Sequence, residues 1–194
     1  MSRPAAALGF RVKSGWATAV LLVGPRTAPR VLDRRIVELA DPEVPEARQP
    51  FHAALGVHEA RGARAAARLV RSVERFAQRS LAQLWAECRA RGNRIRGVGI
   101  VVGSTIDPAA IANDHIRAHA EEGRLFRSVI EAAVRRRHVP ARVTVERQLY
   151  AVAAAALRIP APRLKARSAA LGASVEGSWR AEDKAAALAA WMAL

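Results

Sequence analysis

Three groups of polar residues in the 194-residue sequence have types and spacing that could do chemistry. The first is a basic pair, Arg11 and Lys13, at the point where an apolar strand pattern enters a turn with Ser14. A buried arginine at the end of a strand is costly unless an anion meets it. We therefore expect these three residues to contact an anionic ligand or carboxylates of the chain itself.

The second group lies in a polar stretch near the middle of the chain. His115, His119 and Glu122 follow one another at i, i+4 and i+7, which places them on one face of a helix. This spacing can hold a metal, but the His-Glu-x-x-His pattern is absent, and surface or capping histidines are the alternative. We interpret the group as lining a ligand or RNA groove beside Ser104 and Asp107, in the loop after a buried strand.

The third group is an arginine pattern on the longest predicted helix, His58–Arg91. Six arginines recur every three or four residues, opposite the apolar stripe, along about 27 Å of helix. This face could follow several phosphates, although a solvated outer face is the ordinary alternative. The six are Arg61, Arg64, Arg68, Arg71, Arg75 and Arg79, and a further basic group, Arg135, Arg136 and Arg137, ends a later helix.

The overall charge favours a polyanionic partner. Lysine and arginine number 32 against 17 acidic residues, giving a net charge of +15. Such an excess attracts RNA or DNA, whereas a generally basic, arginine-rich proteome is the alternative explanation. The single Cys88 excludes an intrachain disulfide and a cysteine-based metal cluster.

Length and hydropathy predict one domain, residues 1–194. No apolar run approaches the roughly 20 residues that span a bilayer, and residues 1–8 lack a secretory pattern. We therefore expect a cytoplasmic protein with no membrane contact. The sequence does not indicate an oligomeric state.

The hydrophobic periodicity predicts a mixed α/β fold. Predicted strands are Leu8–Val12, Trp16–Val23, Val31–Leu39, Ile95–Gly103 and Arg142–Glu146. Predicted helices after His58–Arg91 are Pro108–Ala120, Arg124–Arg137, Gln148–Leu157, Arg163–Leu171 and Glu182–Leu194, with Gly123 dividing the first two. Three strands suited to antiparallel pairing, followed by helical crossovers, predict a five-stranded mixed sheet with helices on both faces.

This order of elements is similar to the ribonuclease H-like fold, and short motifs resemble the YqgF/RuvC-type Holliday-junction resolvases and rRNA-processing nucleases. The segment GFRVKSG, from Gly9, stands where that group has a strand-one Gly-x-Asp-x-Gly pattern. VVGS, from Val101, resembles its strand-four Val-Val-Gly. VERQL, from Val145, resembles its Asp-Glu-Arg-Leu stretch, and the segment from Asp183 resembles a closing helix that begins Asp-x-x-Ala-Ala.

The resemblance implies a nuclease site with an altered metal centre. In the family, carboxylates bind divalent metal, Mg²⁺ or Mn²⁺, beside the scissile phosphate. By position, the resemblance assigns catalytic roles to Glu146 and Asp183, with Asp107 as a further candidate, but puts Arg11 in place of the strand-one acid. We hypothesise that Arg11 and Lys13 form ion pairs with Glu146 and Asp183, either as a structural bridge or as part of a phosphate pocket.

Three interpretations of function stay open at this point. The first is an RNase H-like nucleic-acid-binding protein that is catalytically altered or inactive relative to the YqgF/RuvC-type nucleases. The second is an active divalent-metal-dependent nuclease. The third is a non-enzymatic structural or regulatory interaction protein.

Overall fold

A five-stranded mixed sheet forms the centre of the computed structural model, which describes residues 5–194 of the predicted domain 1–194 and leaves residues 1–4 outside the description. Its strands are β1 (Ala5–Val12), β2 (Trp16–Val23), β3 (Arg30–Glu38), β4 (Arg94–Val102) and β5 (Ala141–Val145). They are arranged in the order β3-β2-β1-β4-β5. β1 and β3 pair antiparallel with β2, while β1–β4 and β4–β5 are parallel. The predicted mixed sheet is confirmed, although β1 begins at Ala5 rather than Leu8.

Helices cover both faces of this sheet, as predicted. They are α1 (Glu59–Ala90), α2 (Asp114–Arg135), α3 (Leu149–Leu157), α4 (Ala161–Ala170) and α5 (Ala181–Ala193). α1 and α2 pack against the face that carries Leu8 and Phe10. The three shorter helices pack against the face that carries Val20 and Val101. Within residues 5–194, no helix is both long enough and apolar enough to cross a bilayer.

The predicted division of α2 at Gly123 is wrong. The helix runs through this exposed glycine, because Phe126 and Ile130 are fully buried on the next turns. Their burial outweighs the roughly 1 kcal/mol that a glycine costs in a helix interior. The predicted start at Pro108 is also wrong: Pro108–Ala110 forms only a 3₁₀ turn, and α2 begins after Asn113.

Glycines on β1 and β4 let α5 lie directly on the sheet. A Cβ added at Gly9 would lie 1.8 Å from the carbonyl oxygen of Ala186, and one at Gly99 would lie 2.3 Å from that of Ala189. Only a residue without a side chain permits this approach. The contact places the first turn of α5 beside the carboxyl end of β1.

Candidate functional site

A cavity of about 420 Å³ opens where the parallel strands β1 and β4 end. Ligands in open α/β sheets usually bind outside the carboxyl ends of the strands. The predicted ligand contacts that line this cavity are Arg11, Lys13, Ser14, Ser104 and His119. Apolar side chains from the loop after β4 and from α2 complete its wall. The fold therefore brings these residues together from three separate segments.

Arg11 forms a two-point ion pair with Glu146 at this cavity. Its Nε donates to Oε1 at 2.9 Å and its Nη2 donates to Oε2 at 2.5 Å, while Nη1 donates to the Val12 carbonyl. The Arg11 side chain is 5% exposed and that of Glu146 is 46% exposed. Glu146 is the first residue after β5, so the parallel order β1-β4-β5 brings both strand ends to one edge. The first half of the ion-pair hypothesis is confirmed.

The second half of that hypothesis is wrong, because Lys13 does not pair with Asp183. Lys13 Nζ lies 3.5 Å from Glu182 Oε1, one residue earlier. Asp183 is buried and caps α5 by accepting from the Arg180 backbone N–H at 2.7 Å, with Arg34 Nε 3.7 Å from its other oxygen. A helix turns by about 100° per residue, so adjacent acids at its start face different partners.

The start of α5 also changes the pKa of Glu182, the acid beside Lys13. A hydrogen bond from its own backbone N–H, followed by the charge of Lys13, lowers the pKa of Glu182. Both effects favour the charged carboxylate. Lys13 is therefore held beside an anion of the chain itself.

The three carboxylates assigned to catalysis do not fit a shared Mg²⁺ or Mn²⁺ site. Both oxygens of Glu146 accept from a guanidinium, and Asp183 is engaged by a backbone N–H. Asp107 accepts from the N–H two residues ahead at 3.1 Å and caps the 3₁₀ turn. Within residues 5–194, none of the three belongs to a set of three potential ligands with atoms within 4.8 Å. These hard ions need several available oxygen ligands.

A histidine cluster borders the cavity. His115 and His119 lie one turn apart on α2, with ring centroids 4.8 Å apart. The centroid of the His52 ring lies 4.7 Å from that of His115 and 4.2 Å from that of His119. The side chain of Glu122 is fully buried beneath them and accepts from His52 Nδ1 at 2.8 Å. Sequence reasoning missed His52, because it lies far from the other histidines along the chain and no local pattern links them.

The arginine face of α1 is exposed, as its phase predicts. All six arginines lie on the surface, opposite buried side chains such as Val73 and Leu81. Among the ion pairs formed by residues 5–194, none involves these arginines. Their charges are therefore available to a partner in solution.

The second basic group has two exposed residues and one that is partly buried. Arg135 and Arg136 are exposed. The Arg137 guanidinium lies 4.7 Å from the centre of the Trp85 ring and donates to the Ala133 carbonyl at 2.8 Å. Partial burial, together with the charge of Arg136, lowers the pKa of Arg137. Arg137 therefore also contributes to packing.

The strand order, the antiparallel hairpin and the helices on both faces define the ribonuclease H-like fold. No family model matches the sequence, and no curated protein is significantly similar to it. RuvC of Thermus thermophilus in complex with a Holliday junction substrate aligns with a TM-score of 0.55 and 10% identity, covering 96% of this chain and 90% of that chain. A second Thermus thermophilus RuvC structure aligns with a TM-score of 0.53 and 10% identity, covering 96% and 92%. The predicted ribonuclease H-like fold is confirmed.

Proposed function

We propose that this chain is a single RNase H-like domain that binds RNA or DNA. We also propose that its site at the carboxyl ends of β1, β4 and β5 is altered relative to the YqgF/RuvC-type nucleases. The observation that carries the proposal is the exposed arginine face of α1. Six cations without ion pairs within residues 5–194 lie along one helix of a chain with a net charge of +15. Cations so arranged replace the counterions of a phosphate backbone.

The fold favours nucleic acid over other polyanions. The RuvC structure that aligns with 96% of this chain is a complex with a Holliday junction substrate. The short motifs around Gly9, Val101 and Asp183 resemble the same group. A four-way DNA junction is therefore the first probe, with duplex DNA and structured RNA beside it.

The Arg11–Glu146 pair supports the altered site. A metal-dependent phosphodiesterase needs carboxylates whose oxygens are open to the ion. Here the strand-one position carries a cation, and this cation occupies both oxygens of the acid at the end of β5. The ion pair therefore neutralises the carboxylate charge that would otherwise attract a metal ion to this position.

Binding can be tested by fluorescence anisotropy between about 50 and 200 mM salt. If roughly six phosphates are contacted, the log–log slope is about −5 and affinity falls about 10³-fold over this range. Replacing Arg68 and Arg75 by Gln should make the slope less steep by about 2. Arg30→Gln with Arg163→Gln is the matched control, since it removes the same charge at exposed positions that do not belong to α1.

An unchanged slope in the α1 variant, or an equal change in the control, would refute the assignment of this face. If all three nucleic acids bind weakly and without salt dependence, the interaction-protein interpretation replaces the proposal. In that case sedimentation should detect self-association or a protein complex.

Catalysis needs a separate experiment. We expect no cleavage of the junction, the duplex or the RNA by the wild-type chain in Mg²⁺ or Mn²⁺. Cleavage that Glu146→Gln abolishes would establish the active-nuclease interpretation and reject the altered site.

A further inference from the structure

The histidine cluster at the amino end of α2 has the features of a nitrogen-ligand metal site. His52 comes from the 3₁₀ turn His52–Ala54 before α1, whereas His115 and His119 project from one face of α2. Each ring offers a nitrogen, and these atoms all lie within 4.8 Å of one another. Three imidazoles that converge from two separate segments form a ligand set which the fold, rather than the helix alone, assembles.

A buried carboxylate orients this set. The Glu122 side chain is 0% exposed. Its Oε1 accepts from His52 Nδ1 at 2.8 Å and from the His52 backbone N–H at 3.3 Å. Its Oε2 lies 3.9 Å from His119 Nδ1. Metal-bound histidines usually direct their second nitrogen to a carboxylate, which fixes the ring and raises its basicity.

Two buried polar atoms at this position have no hydrogen-bond partner among residues 5–194. They are Glu122 Oε2 and His52 Nε2, the nitrogen of His52 that points away from the carboxylate. Buried polar groups are almost always satisfied, so each such atom calls for a partner. A cation bound by His52 Nε2 would satisfy the nitrogen and would also compensate the charge of the buried carboxylate.

We propose that His52, His115 and His119 bind one Zn²⁺ ion, with Glu122 as the carboxylate that orients His52. Neutral imidazoles are ligands of borderline metals such as zinc, whereas Mg²⁺ and Ca²⁺ take oxygen. Zn–N bonds of about 2.0–2.1 Å in a tetrahedron place the nitrogens about 3.3 Å apart. The widest separation therefore closes by at most about 1.5 Å, which rotation of the exposed His115 and His119 side chains supplies.

The position of the ion gives it access to the cavity. Three protein ligands leave one coordination position for water or another ligand, as in zinc sites that bind exogenous groups. His119 lines the same cavity as Arg11. The zinc site does not depend on the nucleic-acid-binding proposal, because its ligands lie outside the arginine face.

Zinc binding can be measured on tag-free protein that has been stripped with EDTA. Titration against a chromophoric chelator should give one Zn²⁺ per chain, and Co²⁺ in its place should give the intense visible absorption of tetrahedral coordination. His115→Ala and His119→Ala alter exposed positions and should each weaken binding at least 10-fold. Glu122→Gln should weaken it by about 10- to 100-fold.

His138→Asn is the matched control. It removes an exposed imidazole beyond the opposite end of α2, and asparagine tolerates the positive φ of 55° there. Its zinc affinity should equal that of the wild type. Wild-type binding weaker than about 10 μM, or an equal loss in the control and the cluster variants, would overturn the assignment. Circular dichroism of each variant establishes that a loss of binding does not reflect unfolding.

Discussion

Replacing Glu146 should destabilise the protein more than replacing Arg11, although either change breaks the same ion pair. The Arg11 side chain is 5% exposed, so Glu146→Gln leaves a nearly buried cation beside a neutral amide. The Glu146 side chain is 46% exposed, so Arg11→Met leaves a carboxylate that water can solvate. The asymmetry follows from the difference in burial of the two partners.

The size of each effect follows from the same exposures. Breaking a fully buried pair costs about 3–5 kcal/mol, and access of water to Glu146 reduces this figure. The Arg11 bond to the Val12 carbonyl also survives. We expect Glu146→Gln to cost about 1–2 kcal/mol and Arg11→Met less than about 1 kcal/mol. For a chain of this length, 1 kcal/mol lowers Tm by about 2–4 °C.

Urea unfolding followed by circular dichroism measures these differences, provided that the m-value stays constant. The double variant completes a cycle whose coupling energy should be about 1 kcal/mol. Glu43→Gln, at an exposed acid without an ion pair within residues 5–194, should change stability by less than about 0.5 kcal/mol. If Arg11→Met is the more damaging change, or if the coupling vanishes, the pair does not have the energetic role that its geometry indicates.

Two glycine substitutions should have opposite effects on stability, and one acid should show a pH-dependent contribution. Gly99→Ala should destabilise by about 1–3 kcal/mol, because the new Cβ would lie 2.3 Å from the Ala189 carbonyl oxygen. Gly123→Ala should stabilise by about 0.5–1 kcal/mol, because outside the helix's own turns a Cβ there meets no atom of residues 5–194 within 4 Å. Thermal unfolding measures both changes. A hydrogen bond from Arg35 lowers the pKa of Glu87, so its contribution is present above the unfolded pKa and is lost as pH falls through the folded one. Glu87→Gln should therefore lower Tm near neutral pH, and this difference should disappear in acid; a constant difference would contradict the assignment.

Features that depend on local periodicity could be predicted from the sequence alone. Alternating and continuous apolar runs specified the strands, and the helical phase of α1 placed its arginines opposite Val73 and Leu81. Each pattern spans only a short segment of the chain, so it can be recognised without knowing which distant residues the segment contacts. The order of strands and crossovers then limited the sheet to a few topologies.

Which side chains meet depends on how remote elements of the chain pack together. Arg11 and Glu146 are neighbours because β4 lies between β1 and β5, while Lys13 meets Glu182 because glycines seat α5 against the sheet. His52 lies beside the α2 histidines only in the folded chain, and no local spacing in the sequence predicts this contact. Local patterns fix which face a side chain occupies, but the packing of remote elements sets the distances between faces, and those distances decide whether two residues form a site.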